Sequence, residues 1–156
     1  MVSLKKQKGF TLVELLIVII IIGILATLVI VTFTGVQAKA RDSQRVTDIG
    51  AMDSQIEAYY ATTGHYPSYA DLTSATFISA NLKGLDTQSL IDPKLATTTA
   101  LGTALVNTSG DATHYGYEVF QSDGTTACET DDTTCATFTL TAHLEAGGTF
   151  TKKSST

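Results

Sequence analysis

Cysteine, proline and basic residues are scarce in this chain, and each scarcity removes a class of function. The two cysteines, Cys128 and Cys135, are too few for a structural zinc site, which wants four ligands, and no histidine lies between them. Lys and Arg number 10 against 15 Asp and Glu, a formal net charge of −5. Such an acidic chain is a poor general binder of nucleic acid, whose affinity comes largely from neutralised phosphates, and no direct nucleic-acid contact is expected. The three histidines, His65, His114 and His143, are scattered singly, and no Ser, Cys or Lys has a base at a recognisable motif spacing. The expectation is therefore a non-enzymatic protein with no cofactor. Only two prolines occur, and the first, Pro67, reads as a stop for whatever helix precedes it.

What the chain does have is one long apolar run. Phe10 to Phe33 is 24 residues with a single charge, Glu14. At about 1.5 Å per residue a helix of that length crosses a hydrocarbon core of about 30 Å. Lys5, Lys6 and Lys8 stand directly before it with no acidic residue among them, which keeps the N-terminus in the cytoplasm and sends the remainder outward. A carboxylate inside a membrane helix costs roughly 2.5 to 3.5 kcal/mol near the centre, so Glu14 calls for compensation.

The run Lys8, Gly9, Phe10, Thr11, Leu12, Val13, Glu14, Leu15, Leu16 resembles the class III signal sequence of type IV pilins and pseudopilins. The resemblance is close over residues 5–30 and looser through Tyr59, Tyr60, Gly64, Tyr66 and Pro67; beyond that only the layout is shared. It implies a pilin-like α+β fold, a long helix packed on a small antiparallel sheet. It implies a prepilin peptidase cutting between Gly9 and Phe10 and N-methylating Phe10. The leader lysines would be lost and the membrane helix kept. Glu14 sits about one turn from Phe10, too far to meet its own amine, and by resemblance it neutralises the amine of a neighbouring subunit and so registers it during assembly. The implied partners are other copies in a helical filament, the peptidase, an assembly ATPase and a platform protein. The implied locations are the cytoplasmic membrane for the precursor and an extracellular fibre for the product. Family members often carry proline where this chain has Val31; Gly23 remains a candidate point of helix flexibility.

Three other readings of the N-terminus compete, one of them that Glu14 simply sits at headgroup depth with its carboxylate in water, which leaves the Gly9-Phe10 junction unexplained. A cleavable secretory signal could be cut near Ala38-Lys39-Ala40, but its apolar core would be too long and would contain Glu14. A plain signal anchor explains the lysines and the length and leaves Gly9, Phe10 and Glu14 to coincidence.

The chain divides into a leader (1–9), the membrane half of a helix (10–34), its amphipathic half (35–63), a loop region (64–113) and a sheet (114–156). In 35–63, Val46, Ile49, Met52 or Asp53, Ile56, Tyr59 and Tyr60 recur at helical spacing, with Arg41, Asp42, Arg45, Asp48, Asp53 and Glu57 as the polar face. The helix is expected over 10–61. Lys39, Arg41 and Arg45, the clustered cations beside the membrane segment, read as interfacial anchors. A short helix is expected over 69–82 and a further turn over 85–91. Strands are expected over 114–120, 136–144 and 149–152, the second with Phe138, Leu140, Ala142 and Leu144 on one face.

Cys128 and Cys135 fall on the side predicted to leave the cytoplasm and read as one disulfide. Asp123, Asp131 and Asp132, with Glu129, are candidate calcium ligands by resemblance to the heads of some pseudopilins. No EF-hand spacing is present, so a solvated acidic loop is the plainer reading. Asn107-Thr108-Ser109 matches a glycosylation sequon. The function expected is that of a filament subunit serving adhesion, twitching motility or DNA uptake. The alternatives are a pseudopilin of a type II secretion or competence system, and a low-copy membrane-anchored adhesin.

Overall fold

The computed structural model describes residues 9–95, 99–128 and 133–155. Helix α1 runs Leu12–Thr63 in 52 residues, unbroken at Gly23, Gly35 and Gly50. Its end lies two residues past the expected Ala61. There Gly64 takes φ +80° and its N–H bonds Tyr60 O at 2.8 Å, the left-handed stop that glycine tolerates best.

The chain forms two compact units, Met1–Gln37 and Ala38–Thr156. The described part of the first is helix alone. Its large apolar side chains are exposed, from Phe10 at 81% to Phe33 at 60%. It is long and apolar enough to cross a membrane. Thr27, Thr32 and Thr34 turn their hydroxyls back to the carbonyls of Gly23, Leu28 and Val31, so these polar groups are satisfied inside the helix.

The second unit packs the remainder of α1 on a sheet. Short helices α2 (Tyr69–Leu72) and α3 (Ala75–Asn81), a 3-10 turn (Thr87–Leu90) and α4 (Leu101–Ala104) lead into β1 (Leu105–Val106), β2 (Tyr115–Gln121), β3 (Cys135–His143) and β4 (Thr149–Lys153). The helix expected over 69–82 is two, because Ser68 and Ser74 each cap a new start, Ser68 within a full capping box with Asp71. The strands run in the order β1-β2-β3-β4; β1 pairs parallel with β2 and the other pairs are antiparallel. The three expected strands are present to within a residue or so of their expected ends, and the two-residue β1 is an addition.

The core joins Ile49, Met52 and Ile56 of α1 to Tyr115, Tyr117 and Val119 of β2 and Phe138, Leu140 and Ala142 of β3. Tyr66, Leu72, Ile78, Leu82 and Leu90 close it from the connecting region. Truncating a fully buried Met52 or Ile56 to Ala would cost about 2–5 kcal/mol. Buried phenols are bonded, Tyr117 Oη donating to Pro67 O at 2.7 Å and Tyr115 Oη to Asp48 at 2.8 Å. The connection after β1 crosses directly over Gly116, where a Cβ would collide with Thr108 O; only glycine admits that crossing.

One expectation about α1 is corrected. Asp42, Arg45 and Asp48 belong to the expected polar face, yet all three are buried. Nor is Arg45 an interfacial anchor: it is 0% exposed and ion-paired inside the unit, while Arg41 pairs with Glu145. Lys39 alone of the three remains an exposed cation without a recorded ion pair among the described residues.

Candidate functional site

The N-terminal motif is built at the first turn of α1. Gly9 is exposed with open space around it, and Phe10 stands out at 81% exposure. An unobstructed backbone of this kind suits a protease cleft. Thr11 is the residue that the sequence reading passed over. Its backbone N–H and its hydroxyl both donate to Glu14 Oε2, at 2.9 and 2.7 Å, and Glu14 N–H returns to Thr11 Oγ1 at 3.3 Å. This is a capping box, and the pattern Thr-x-x-Glu ahead of an apolar run was its signal. The carboxylate whose burial needed compensation is thus held by its own helix start, where the peptide dipoles favour negative charge. Gly23 lies within uninterrupted helix, and a Cβ there would meet nothing within 4 Å.

A second polar assembly lies within the Ala38–Thr156 unit. The Arg45 guanidinium bonds both oxygens of Asp92, at 2.7 and 2.9 Å, and reaches Asp42 at 2.8 Å and Glu145 at 3.2 Å. Arg41 takes both oxygens of Glu145 at 2.6 and 2.8 Å, and Lys94 stands 3.5 Å from the same group. Asp42 also accepts from Glu145 N–H and Ala146 N–H, at 2.8 and 2.9 Å. The clasp therefore fastens two distant turns, that after β3 and that at Asp92-Pro93, to α1. Hydrogen bonds from Arg41, working against burial, hold the Glu145 carboxyl down to about 2. Burial opposes the charge on Asp42, but the two backbone N–H groups and Arg45 outweigh it and keep that carboxyl low. Asp48 behaves oppositely: burial raises its pKa despite hydrogen bonds from Tyr115 and Gln44.

The remaining candidates are dispersed. Cys128 and Cys135 are buried and lie within electrostatic reach of the Tyr117 hydroxyl. Cys128 N–H bonds Val119 O at 2.9 Å and Cys135 pairs opposite Gln121, so both sit against β2. Asp123 spends its carboxylate on a turn, accepting from Thr125 N–H and Thr126 N–H at 2.9 and 2.8 Å, and these bonds, with that from the Thr126 hydroxyl first, lower it to about 2. Asp131, Asp132 and Glu129 lie outside the described residues, as do Lys5, Lys6 and Lys8. Among the described residues no group of three or more His, Cys, Asp or Glu could hold a metal ion.

Comparison with known proteins bears on the N-terminal motif. Residues 4–30 match the family model described as the prokaryotic N-terminal methylation motif. The chain is 43% identical over 63 residues to the type II secretion system core protein G of Escherichia coli strain K12, a match covering 40% of this chain and 43% of that protein. It is 34% identical over 89 residues to the protein of the same name from Pectobacterium carotovorum, covering 57% and 51%. It is also 33% identical over 101 residues to a fimbrial protein of Neisseria meningitidis, covering 65% and 59%. The motif and these likenesses support a place in the type IV pilin and pseudopilin family. The chain spans about half, or somewhat less, of the length of the secretion proteins it matches. No solved structure matches it. Its fold, a long helix with an apolar half and a mostly antiparallel sheet, is the α+β layout expected and is consistent with that of a pilin.

Proposed function

We propose that this chain is a structural subunit of a pilus-like filament, made as a membrane prepilin, cut after Gly9, methylated at Phe10 and polymerised through its N-terminal helix. The observation that carries this reading is the N-terminal half of α1: every large apolar side chain from Phe10 to Phe33 is uncovered within the chain, and its one carboxylate is held at the helix start. Lipid covers that surface before assembly and the helices of other copies cover it after. The exchange gains little hydrophobic energy, lipid being as apolar as Leu, so side-chain packing and the pairing of Glu14 with a neighbour's cationic N-terminus must tip the balance. The precursor spans the cytoplasmic membrane once with its N-terminus inside; the peptidase, ATPase and platform protein are its working partners. The head carries no enzymatic role in this reading. The buried Cys128 and Cys135 form its disulfide once the head is exported.

A second reading, a secretion pseudopilin, is favoured by the name that the E. coli and P. carotovorum relatives share. It keeps the same subunit mechanics and replaces the long surface fibre with a short one. Shearing cells and imaging the fraction for fibres containing this chain separates the two. In either case Glu14→Ala should leave a processed protein in the membrane and few fibres; abundant normal fibres from that variant would refute the registering role.

A further inference from the structure

The last strand of the sheet is held differently from the rest of its unit. β4 lies at the edge and pairs with β3 alone. Within Thr149–Lys153 only Phe150 is partly buried against the core, and its neighbours in the strand are all exposed. Burial of apolar area is the main anchorage of an element, and β4 has a single side chain of it. β3 by contrast fixes Phe138, Leu140 and Ala142 in the core.

The turn that leads into β4 joins a fastened root to a lightly held arm. At the root, Glu145 N–H and Ala146 N–H both bond Asp42, and the Glu145 carboxylate is taken by Arg41 and Arg45. Gly147 and Gly148 follow with φ +98° and +85°, and a Cβ at either would meet nothing within 4 Å. Two successive glycines in that region are a pivot with wide backbone freedom. Beyond the pivot, two catches on successive turns of α1 hold the arm. Lys152 Nζ lies 3.3 Å from Asp53, and Ser155 donates its N–H and its hydroxyl to Glu57 Oε1 at 2.9 and 3.0 Å. The Lys152 side chain is 44% exposed, so water replaces that contact at little cost.

We propose that β4, with residues 154 and 155, is a strap that swings about Gly147 and Gly148, leaving and regaining the edge of β3 while the rest of the head stays folded. The clasp around Asp42 and Glu145 keeps the root in place. Opening uncovers the backbone groups of β3 that face β4 and leaves the side chains of Phe138, Leu140 and Ala142 in the core. Such a motion has a signature within one strand. Ser154 N–H bonds Phe138 O at 3.1 Å, so Phe138 and, by alternation, Leu140 and Ala142 turn their backbone groups toward β4. Thr139 and Thr141 turn theirs toward Glu118 and Gly116 of β2.

The test is amide hydrogen exchange, read by NMR on the full chain in detergent micelles. The amides of Leu140, Ala142, Phe150 and Lys152 should be protected about tenfold less, or weaker still, than those of Thr139 and Thr141. Lys152→Ala removes one catch from an exposed site; it should speed the first set about two- to fivefold and leave Thr139 and Thr141 unchanged. A smaller gap between the two sets would mean that β4 leaves only when the whole head unfolds, and would overturn the strap. A Lys152→Ala chain in which both sets speed up equally would overturn it as well.

Discussion

Replacing Arg45 with Met tests whether the ionic clasp holds the head together. The side chain is fully buried and is, among the described residues, the sole recorded ion-pair partner of Asp92, itself 1% exposed. Met fills much of the same volume, so the chief loss is electrostatic: Asp92 is left charged, buried and unpaired, and Asp42 and Glu145 each lose a donor. Breaking one side of a buried pair costs about 3–5 kcal/mol. For a unit of 119 residues, Ala38–Thr156, unfolding entropy of about 2.1 cal/mol/K per residue converts that into a fall in Tm of roughly 12–20 °C. The assay is thermal unfolding of the full chain in detergent, followed by near-ultraviolet circular dichroism of the buried tyrosines. The companion variant Arg45→Met with Asp92→Leu removes both charges and should recover most of the loss, because the cost lies in the orphaned carboxylate and not in the missing attraction. A single variant within about 1 kcal/mol of the parent, or a double variant no better than the single, would refute this account of the clasp.

Further predictions follow from the same unit. Glu145 and Asp42 have folded pKa values below their unfolded ones, so their stabilisation is present above the ordinary carboxylate range and is lost as pH falls through the folded values, which for Glu145 is about 2. Asp48 has the opposite sign: its raised pKa means that ionising it costs stability as pH rises through the ordinary carboxylate range, so Asp48→Asn should raise Tm at pH 7 and change little near pH 3. For Cys128 and Cys135, alkylation of the exported protein under denaturing, non-reducing conditions should add no label, and prior reduction should add two; two labels without reduction would exclude the disulfide.

How much of this was legible depended on the range of the signal. The apolar half of α1, its end before Gly64 and Pro67, and the alternation of Phe138, Leu140 and Ala142 are all local patterns, and the structure follows them closely. The strand β1 has two residues and no alternation to detect. Arg45 reads as a surface charge because its neighbours on the helix are charged, whereas its burial depends on Asp92 and Glu145, 47 and 100 residues away. No window of local sequence brings those three together. The Thr11 cap is the opposite case, a four-residue pattern in plain view. The strong family association of Glu14 with a neighbouring subunit obscured its simpler bond to its own helix start.

The central claim is that the working form of the chain begins at Phe10. Intact and fragment mass spectrometry of the protein from its source tests it most directly. The expected product lacks residues 1–9 and carries one added methyl on the Phe10 amine. Recovery with residues 1–9 attached, or of a globular product beginning after Ala40, would contradict the account.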